Sequence, residues 1–185
     1  MELKIWSKTL LNVYGCLYKL TNAIDKLVLE FGLNSGRYYG FDKTFNDTQK
    51  IIELTDRKVT LINLKVLINK ILVKMDDVLC KILTLKYIDK MPNETIIKVL
   101  NLSRRTYFRK LTQAINSFSN LLIVNGFNKD TAFNFLGEES WIIDVYNDIL
   151  KKELSKQNEG EVSKISILNM AVKDYKLIRK NNYMA

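Results

Sequence analysis

Residues 91–111 read MPNETIIKVLNLSRRTYFRKL, and the caps and apolar positions in this stretch predict two helices joined by a tight turn. The first helix starts with Asn93 as its N-cap. Asn101 can adopt the left-handed conformation that ends a helix, and Leu102 points inward. Ser103 is then the N-cap of the second helix. Two helices joined in this way are typical of a helix-turn-helix, whose second helix enters the major groove of DNA.

Basic side chains concentrate on the second helix of this motif. The chain has six arginines, and three of them, Arg104, Arg105 and Arg109, lie in the first two turns of that helix, followed by Lys110. No acidic residue occurs from Lys98 to Lys110. Because arginine makes paired hydrogen bonds to guanine and to phosphate, this cluster predicts contact with DNA. The alternative is a solvated basic face on an ordinary helical hairpin.

The composition of the whole chain agrees with a polyanionic partner. The 185 residues carry 29 Lys and Arg against 20 Asp and Glu, a formal net charge of +9, which favours nucleic acid or, less often, an acidic membrane surface. A lysine-rich composition can also arise from coding bias. With 47% hydrophobic residues the chain is long enough for one globular domain, or for one core with a helical arm. A single proline and seven glycines favour long helices.

Several classes of enzyme and metal protein are excluded by residue type. The chain contains no histidine, which removes Ser-His-Asp and Cys-His catalysis and histidine-ligated zinc. Cys16 and Cys80 are too few for a disulfide scaffold, so we interpret them as core residues of a reducing compartment. The carboxylate pairs Glu138-Glu139 and Asp76-Asp77 fall at helix starts, where they stabilise the helix dipole. We therefore expect a protein that is not an enzyme and has no catalytic residue, cofactor or metal.

The chain shows no targeting segment and no apolar run near the ~20 residues needed to span a bilayer. We accordingly expect a cytoplasmic protein with no membrane partner. The glycines from Gly32 to Gly40 lack the lysine of a phosphate-binding loop. Arg37, Tyr38 and Tyr39 in this stretch could touch a ligand or, more simply, pack the loop onto the helices.

The amino-terminal half predicts a long helical hairpin. Apolar residues at helical spacing define one helix over 3–31, and a loop to about Asn46 separates it from a second helix over 47–75. The second helix has two apolar faces, of which the first is a coiled-coil-like seam. The seam comprises Leu54, Leu61, Leu64, Ile68, Ile71 and Met75, and the other stripe comprises Val59, Ile62, Val66 and Val73. Each face requires a partner, which is either the first helix or a second subunit.

Three more helices follow from the same periodicity. The stretch 78–88 is a compact helix with Leu79, Ile82, Leu83 and Tyr87 inward. After a turn at Asn125-Gly126, a helix over 138–155 carries Trp141, and a last helix over 162–178 places Ile165, Leu168, Val172 and Tyr175 inward. We predict an all-α fold in three parts: a hairpin over 1–75, a DNA-binding domain over 76–122 and an extension over 123–185. A homodimer is expected, through either the seam or the Trp141 helix.

Between Val78 and Ala114 the order ILTLKYIDKMPNETIIKVLNLSRRTYFRKLTQA resembles region four of the bacterial sigma factors. The likeness lies in the apolar helix ending in Tyr-Ile-Asp, the break, and the Leu-Asn-Leu-Ser run before a basic helix. The run SRRTYFRKL is closer still to the phage-encoded late transcription regulators of the ArpU type. A helix, a glycine-rich loop and a long helix precede the motif in those regulators too.

The resemblance implies a DNA-binding transcription regulator and assigns roles along the motif. It implies that double-stranded DNA is contacted by Arg104, Arg105 and Thr106 in the groove, by Arg109 and Lys110 at base edges or phosphates, and by Asn93 at a phosphate. Phe108 either meets a thymine methyl group or, as we expect, packs on the domain. Two alternatives stay open: a small alternative sigma factor that binds RNA polymerase core, and a helical protein-interaction module that does not bind DNA.

Overall fold

The computed structural model describes residues 2–35, 41–136, 139–155 and 162–180, and all its regular structure in these ranges is helical. The prediction of an all-α protein is therefore confirmed. The helices in chain order are α1 (Glu2–Ser35), α2 (Phe41–Val73), α3 (Asp77–Leu83), a π-helical turn (Thr84–Ile88), α4 (Asn93–Val99), α5 (Arg104–Val124), α6 (Lys129–Leu136), α7 (Ser140–Leu154) and α8 (Lys164–Lys180). None of the helices in the described ranges is both long and apolar enough to cross a membrane.

Helix α1 lies at the centre of the molecule. Its amino-terminal part contacts α2, α5, α7, α8 and the π-turn, and residues on all its sides are buried, from Trp6 and Ser7 to Leu10, Leu11 and Val13. A helix that is apolar on all sides is stable only when other elements surround it. One continuous core consequently includes residues from each of the three parts that the sequence predicts.

The hairpin of α1 and α2 forms within one chain. All six seam residues are buried, and Leu61 and Ile68 have no exposed surface, because α2 packs along α1. The prediction that the chain dimerises through this seam is therefore wrong. The Trp141 helix is not a free surface either, since Trp141 is fully buried.

Helix α2 begins at Phe41 and not near Asp47, so the loop is shorter than predicted. Asp47 is buried and lies 3.8 Å from the ammonium of Lys50, which in turn lies over the ring of Phe31 in α1. These contacts hold the polar first turns of α2 on α1. Arg37, Tyr38 and Tyr39 lie outside the described residues.

The stretch 77–88 forms as predicted, with one irregularity. The Asp76 side chain accepts hydrogen bonds from the amides of Val78 and Leu79, and all four residues predicted to face inward are buried. The helix ends in a π-turn that packs on α1 at Gly15. A Cβ atom on Gly15 would lie 3.1 Å from the carbonyl oxygen of Ile88, so the glycine permits this close approach.

The carboxy-terminal helices correct the sequence analysis at two places. Residues 129–136 form α6, which was not predicted; Asn128 caps it by accepting from the amide of Thr131 at 2.9 Å. In α8, Ile165 and Val172 are exposed and not inward. The helix is rotated so that Ile167, Ala171 and Tyr175 are buried, together with part of Leu168.

Glu139 lies at the start of α7, as predicted, but its side chain makes no capping hydrogen bond and belongs to a buried ion pair. It has no exposed surface, and its carboxylate accepts two hydrogen bonds from Arg57 of α2, at 3.0 and 3.3 Å. It also accepts from the indole of Trp141 and from the hydroxyl of Tyr175. Arg57 further binds Asp174 of α8 at 2.5 Å. The cluster joins α2, α7 and α8.

Candidate nucleic-acid interface

The turn of the predicted helix-turn-helix is a Schellman motif. Asn101 has a φ of 49°, the left-handed conformation that the sequence predicts. The amide of Asn101 donates to the carbonyl of Lys98 at 3.2 Å, and the amide of Leu102 donates to the carbonyl of Ile97 at 3.0 Å. These are the two hydrogen bonds that define the motif. Leu102 packs against the core, as expected.

Asn93 does not cap α4. Pro92 occupies the N-cap position, with φ −60° and ψ 145° and no side-chain hydrogen bond, and Asn93 is the first helical residue. The side-chain oxygen of Asn93 instead accepts from the ammonium of buried Lys86 at 2.5 Å and from the hydroxyl of Tyr107 at 2.8 Å. Asn93 thereby connects the π-turn, α4 and α5. This oxygen is used inside the domain, so within the side chain only the NH2 group of Asn93 could donate to a phosphate.

Helix α5 begins as the sequence predicts. The hydroxyl of Ser103 accepts from the amide of Thr106 at 3.2 Å and lies 2.9 Å from its hydroxyl. The buried side of the helix is formed by Tyr107, Leu111, Ala114, Ile115 and Phe118, followed by Ser119 and Leu122. The cap and this buried side together set which residues point outward.

The basic residues of α5 divide into distinct groups. Arg105 and Arg109 are four residues apart, so they share one exposed face of the helix. Thr106 and Lys110, also four apart, lie beside them and are half-buried. Arg104 is exposed but lies 3.7 Å from Glu94 of α4, a weak pair at this exposure.

Phe108 packs on the domain. It is half-buried, and its ring meets the ring of Tyr107 edge to face, with the centroids 5.1 Å apart. Its contact with the core agrees with the packing that we expect from the sequence.

A groove that was not predicted from the sequence runs beside the second half of α5. Lys74 and Met75 at the end of α2 form one wall, and the polar residues Gln113, Asn116, Ser117 and Asn120 form the other. The side-chain oxygen of Asn116 is buried there without a hydrogen-bond partner in the described chain. The three-four spacing of these polar residues was visible in the sequence, but their neighbours in α2 were not.

Replacement of the cap tests whether the start of α5 positions its arginines. We expect Ser103→Ala to lower the free energy of unfolding by about 1 kcal/mol, because the amide of Thr106 loses its acceptor. Thermal and urea unfolding measure this change. Ser155→Ala is the control, since the Ser155 hydroxyl only donates to a carbonyl oxygen at the end of α7. Equal stability of Ser103→Ala and the unaltered chain would contradict the cap.

The comparisons with known proteins reach only part of the chain. Residues 45–119 match the model of a family described as a protein of unknown function (DUF1492). This match begins in α2 and ends in α5, so it includes α4, the turn and most of α5 and excludes α1, α6, α7 and α8. No curated protein and no solved structure matches the chain. One family model thus spans both α2 and the helix-turn-helix.

Proposed function

We propose that this protein is a DNA-binding transcription regulator whose helix α5 enters the major groove. The observation that carries the proposal is the exposed face of Arg105 and Arg109 on the first turns of α5, directly after a Schellman turn. The first turns of the second helix are the part of a helix-turn-helix that reaches base edges. The resemblance to sigma region four and to ArpU-type regulators supports the same interpretation.

The packing around the start of α5 favours a rigid recognition helix. Asn93 receives hydrogen bonds from both the π-turn and α5, and Tyr107 is fully buried between the two helices of the motif. A contact residue must be held in place by its supporting shell if it is to discriminate between bases. Arg105 and Arg109 would therefore present their guanidinium groups from a fixed helix, with Thr106 beside Arg105 in the groove and Lys110 at base edges or phosphates.

RNA polymerase is a further partner in this proposal, because sigma region four and ArpU-type regulators act on transcription. Capture of purified core polymerase by the tagged chain tests this part. A chain that captures core polymerase but binds no duplex would be a sigma-like adaptor. A chain that does neither would be a helical interaction module.

The salt dependence of DNA binding tests the proposal directly. With about six phosphate contacts, affinity for a mixed-sequence duplex should fall by about 10³-fold between about 50 and about 200 mM salt, because binding releases condensed counterions. Fluorescence anisotropy measures this fall. Binding that does not change with salt, or no binding to any duplex, would refute the proposal.

Two double variants distinguish DNA binding by the helix-turn-helix from binding by the net positive charge of the chain. Arg105→Ala with Arg109→Ala should weaken binding at least tenfold and reduce the steepness of the salt dependence, because two groove or phosphate contacts are lost. Lys151→Ala with Lys173→Ala removes the same charge from exposed positions on α7 and α8. We expect this control to bind nearly as tightly as the unaltered chain. An equal loss in both variants would mean that α5 is not the interface.

A further inference from the structure

Helix α2 carries a second apolar stripe that no described part of the chain covers. Its residues recur every seven positions over four heptads, from the exposed first turns of α2 to its last residue. The exposed fractions are 61% for Phe45, 57% for Ile52, 49% for Val59, 59% for Val66 and 86% for Val73. Single exposed apolar residues are common on protein surfaces, but an unbroken row of this length is not.

Supercoiling of α2 around α1 keeps the residues of this row on one side of the helix. A seven-residue repeat drifts around a straight α-helix, so it forms a continuous seam only on a supercoiled one. The buried seam of α2 has the same period, with Leu54, Leu61, Ile68 and Met75 seven residues apart against α1. Packing on α1 therefore winds α2 so that the exposed row also runs along one line, about 42 Å long at 1.5 Å per residue.

The residue types on the row suit a second copy of the same helix. If each exposed row residue is an a position, the a positions are Phe, Ile, Val, Val and Val, and parallel two-stranded coiled coils use β-branched residues at a, there together with Leu at d. The d positions are Thr48, Thr55, Ile62 and Asn69. Apolar a layers meet apolar a layers only when two copies run parallel and in register, since an antiparallel pair puts a against d.

Groups flanking the row do not oppose this pairing. The hydroxyls of Thr48 and Thr55 donate to carbonyls within α2, at 2.8 and 2.7 Å, so burial leaves neither unpaired. Lys58 binds Asp25 of α1, and Lys65 lies over the ring of Tyr18. Both ammonium groups are thus drawn towards α1, which moves Lys65 away from Lys70 of the second copy, the like-charge residue that it faces in a parallel pair.

We propose that this outer row of α2, formed by Phe45, Ile52, Val59, Val66 and Val73 with Ile62 beside it at a d position, is the interface of a parallel homodimer. The dimer has an isologous contact in which each residue meets its own copy. The groove at Lys74 and Met75 places α5 beside the carboxy-terminal end of α2, so a parallel pair brings both copies of α5 to the same end. The inference is independent of DNA binding.

Glutamate substitutions in the row test whether it is the dimer interface, and the measurement uses the full chain without DNA. Sedimentation at micromolar concentration should show a dimer for the unaltered protein. Val59→Glu with Val66→Glu should give a monomer that keeps its helical circular dichroism, because both sites are solvent-exposed in one chain. Leu154→Glu with Ile165→Glu changes two exposed apolar residues of α7 and α8 and should stay dimeric. A monomeric unaltered protein, or a dimer that survives Val59→Glu with Val66→Glu, would overturn the proposal.

Cross-linking tests the orientation. In a Cys80→Ser background, Ile52→Cys should form a disulfide-linked dimer on mild oxidation, because a parallel pair places the two copies within disulfide reach. In an antiparallel pair that aligns the whole row, Ile52 would face Val66, and the two copies of residue 52 would lie about 21 Å apart, about four helical turns. Leu154→Cys is the control and should remain unlinked. A dimer in which Ile52→Cys stays unlinked would overturn the parallel arrangement.

Discussion

A chain carrying Leu61→Glu and Ile68→Glu is expected to lose its cooperative unfolding transition and most of its helical circular dichroism. Both residues are fully buried on the face of α2 that packs along α1. Burial of an unpaired carboxylate costs several kcal/mol, and two of them rival the whole stability of a domain, about 5–15 kcal/mol. The expected product is thus an unfolded or aggregated chain and not a folded monomer.

The two faces of α2 provide a matched comparison. Val59→Glu with Val66→Glu places the same two charges on the same helix, but at residues with 49% and 59% of their surface exposed. Substitutions at exposed positions usually change stability by less than about 0.5 kcal/mol, so this variant should retain a cooperative transition. Loss of dimerisation would lower its melting temperature only to that of the monomer. If Leu61→Glu with Ile68→Glu melted like the unaltered chain, the hairpin described here would be wrong.

Glu139→Ala is expected to destabilise the fold by about 3–5 kcal/mol, because it leaves the buried guanidinium of Arg57 without its main partner. Burial by itself lowers the pKa of Arg57, but the hydrogen bonds and charge of Glu139, with the charge of Asp174, raise it above the ordinary value. Glu139→Ala removes the largest of these raising causes, but a guanidinium keeps its proton in proteins, so Arg57 cannot relieve the loss by becoming neutral. Urea unfolding followed by circular dichroism measures the change.

Tyr175 belongs to the same cluster and stays protonated. Burial raises the pKa of Tyr175, and the negative charge of Glu139 raises it further. Its hydroxyl therefore keeps donating to the Glu139 carboxylate, at 3.2 Å, and its ring lies under the Arg57 guanidinium, 4.6 Å from the centroid. The cluster is a structural joint between α2, α7 and α8.

A double variant, and a variant of an exposed ion pair, test whether the loss of the buried ion pair explains the destabilisation expected for Glu139→Ala. Arg57→Leu with Glu139→Gln removes the charges of this pair and keeps an acceptor for Trp141, while Asp174 keeps its hydrogen bond from Ser140, so the variant should recover part of the lost stability. Asp25→Ala breaks the exposed pair with Lys58 and should cost less than about 1 kcal/mol. If Glu139→Ala and Asp25→Ala had equal effects, the cluster would contribute no more than a surface ion pair.

The helix-turn-helix was predictable because its signals are local. The capping hydroxyl of Ser103, the left-handed Asn101 and the buried row from Tyr107 to Phe118 depend on residues a few positions apart. Asn93 and Glu139 were misread for the opposite reason. Both have the side chains that helix starts favour, but hydrogen-bond partners from distant helices hold them inside. An arginine at position 57, three residues from the buried Leu54, was the available sign of a buried charge.

The sequence by itself determined the helical class, the position of nearly every helix and the face of α5 that carries arginine, since hydrophobic period and caps act within one element. Only the tertiary structure decided which of two apolar faces of α2 meets α1, and which way α8 turns to bury Ile167 in place of Ile165. Helix α8 has apolar residues on several of its sides, so its sequence pattern is compatible with more than one buried face. The shape of the neighbouring helices selects among them, because burial depends on complementary surfaces that a single helix does not contain.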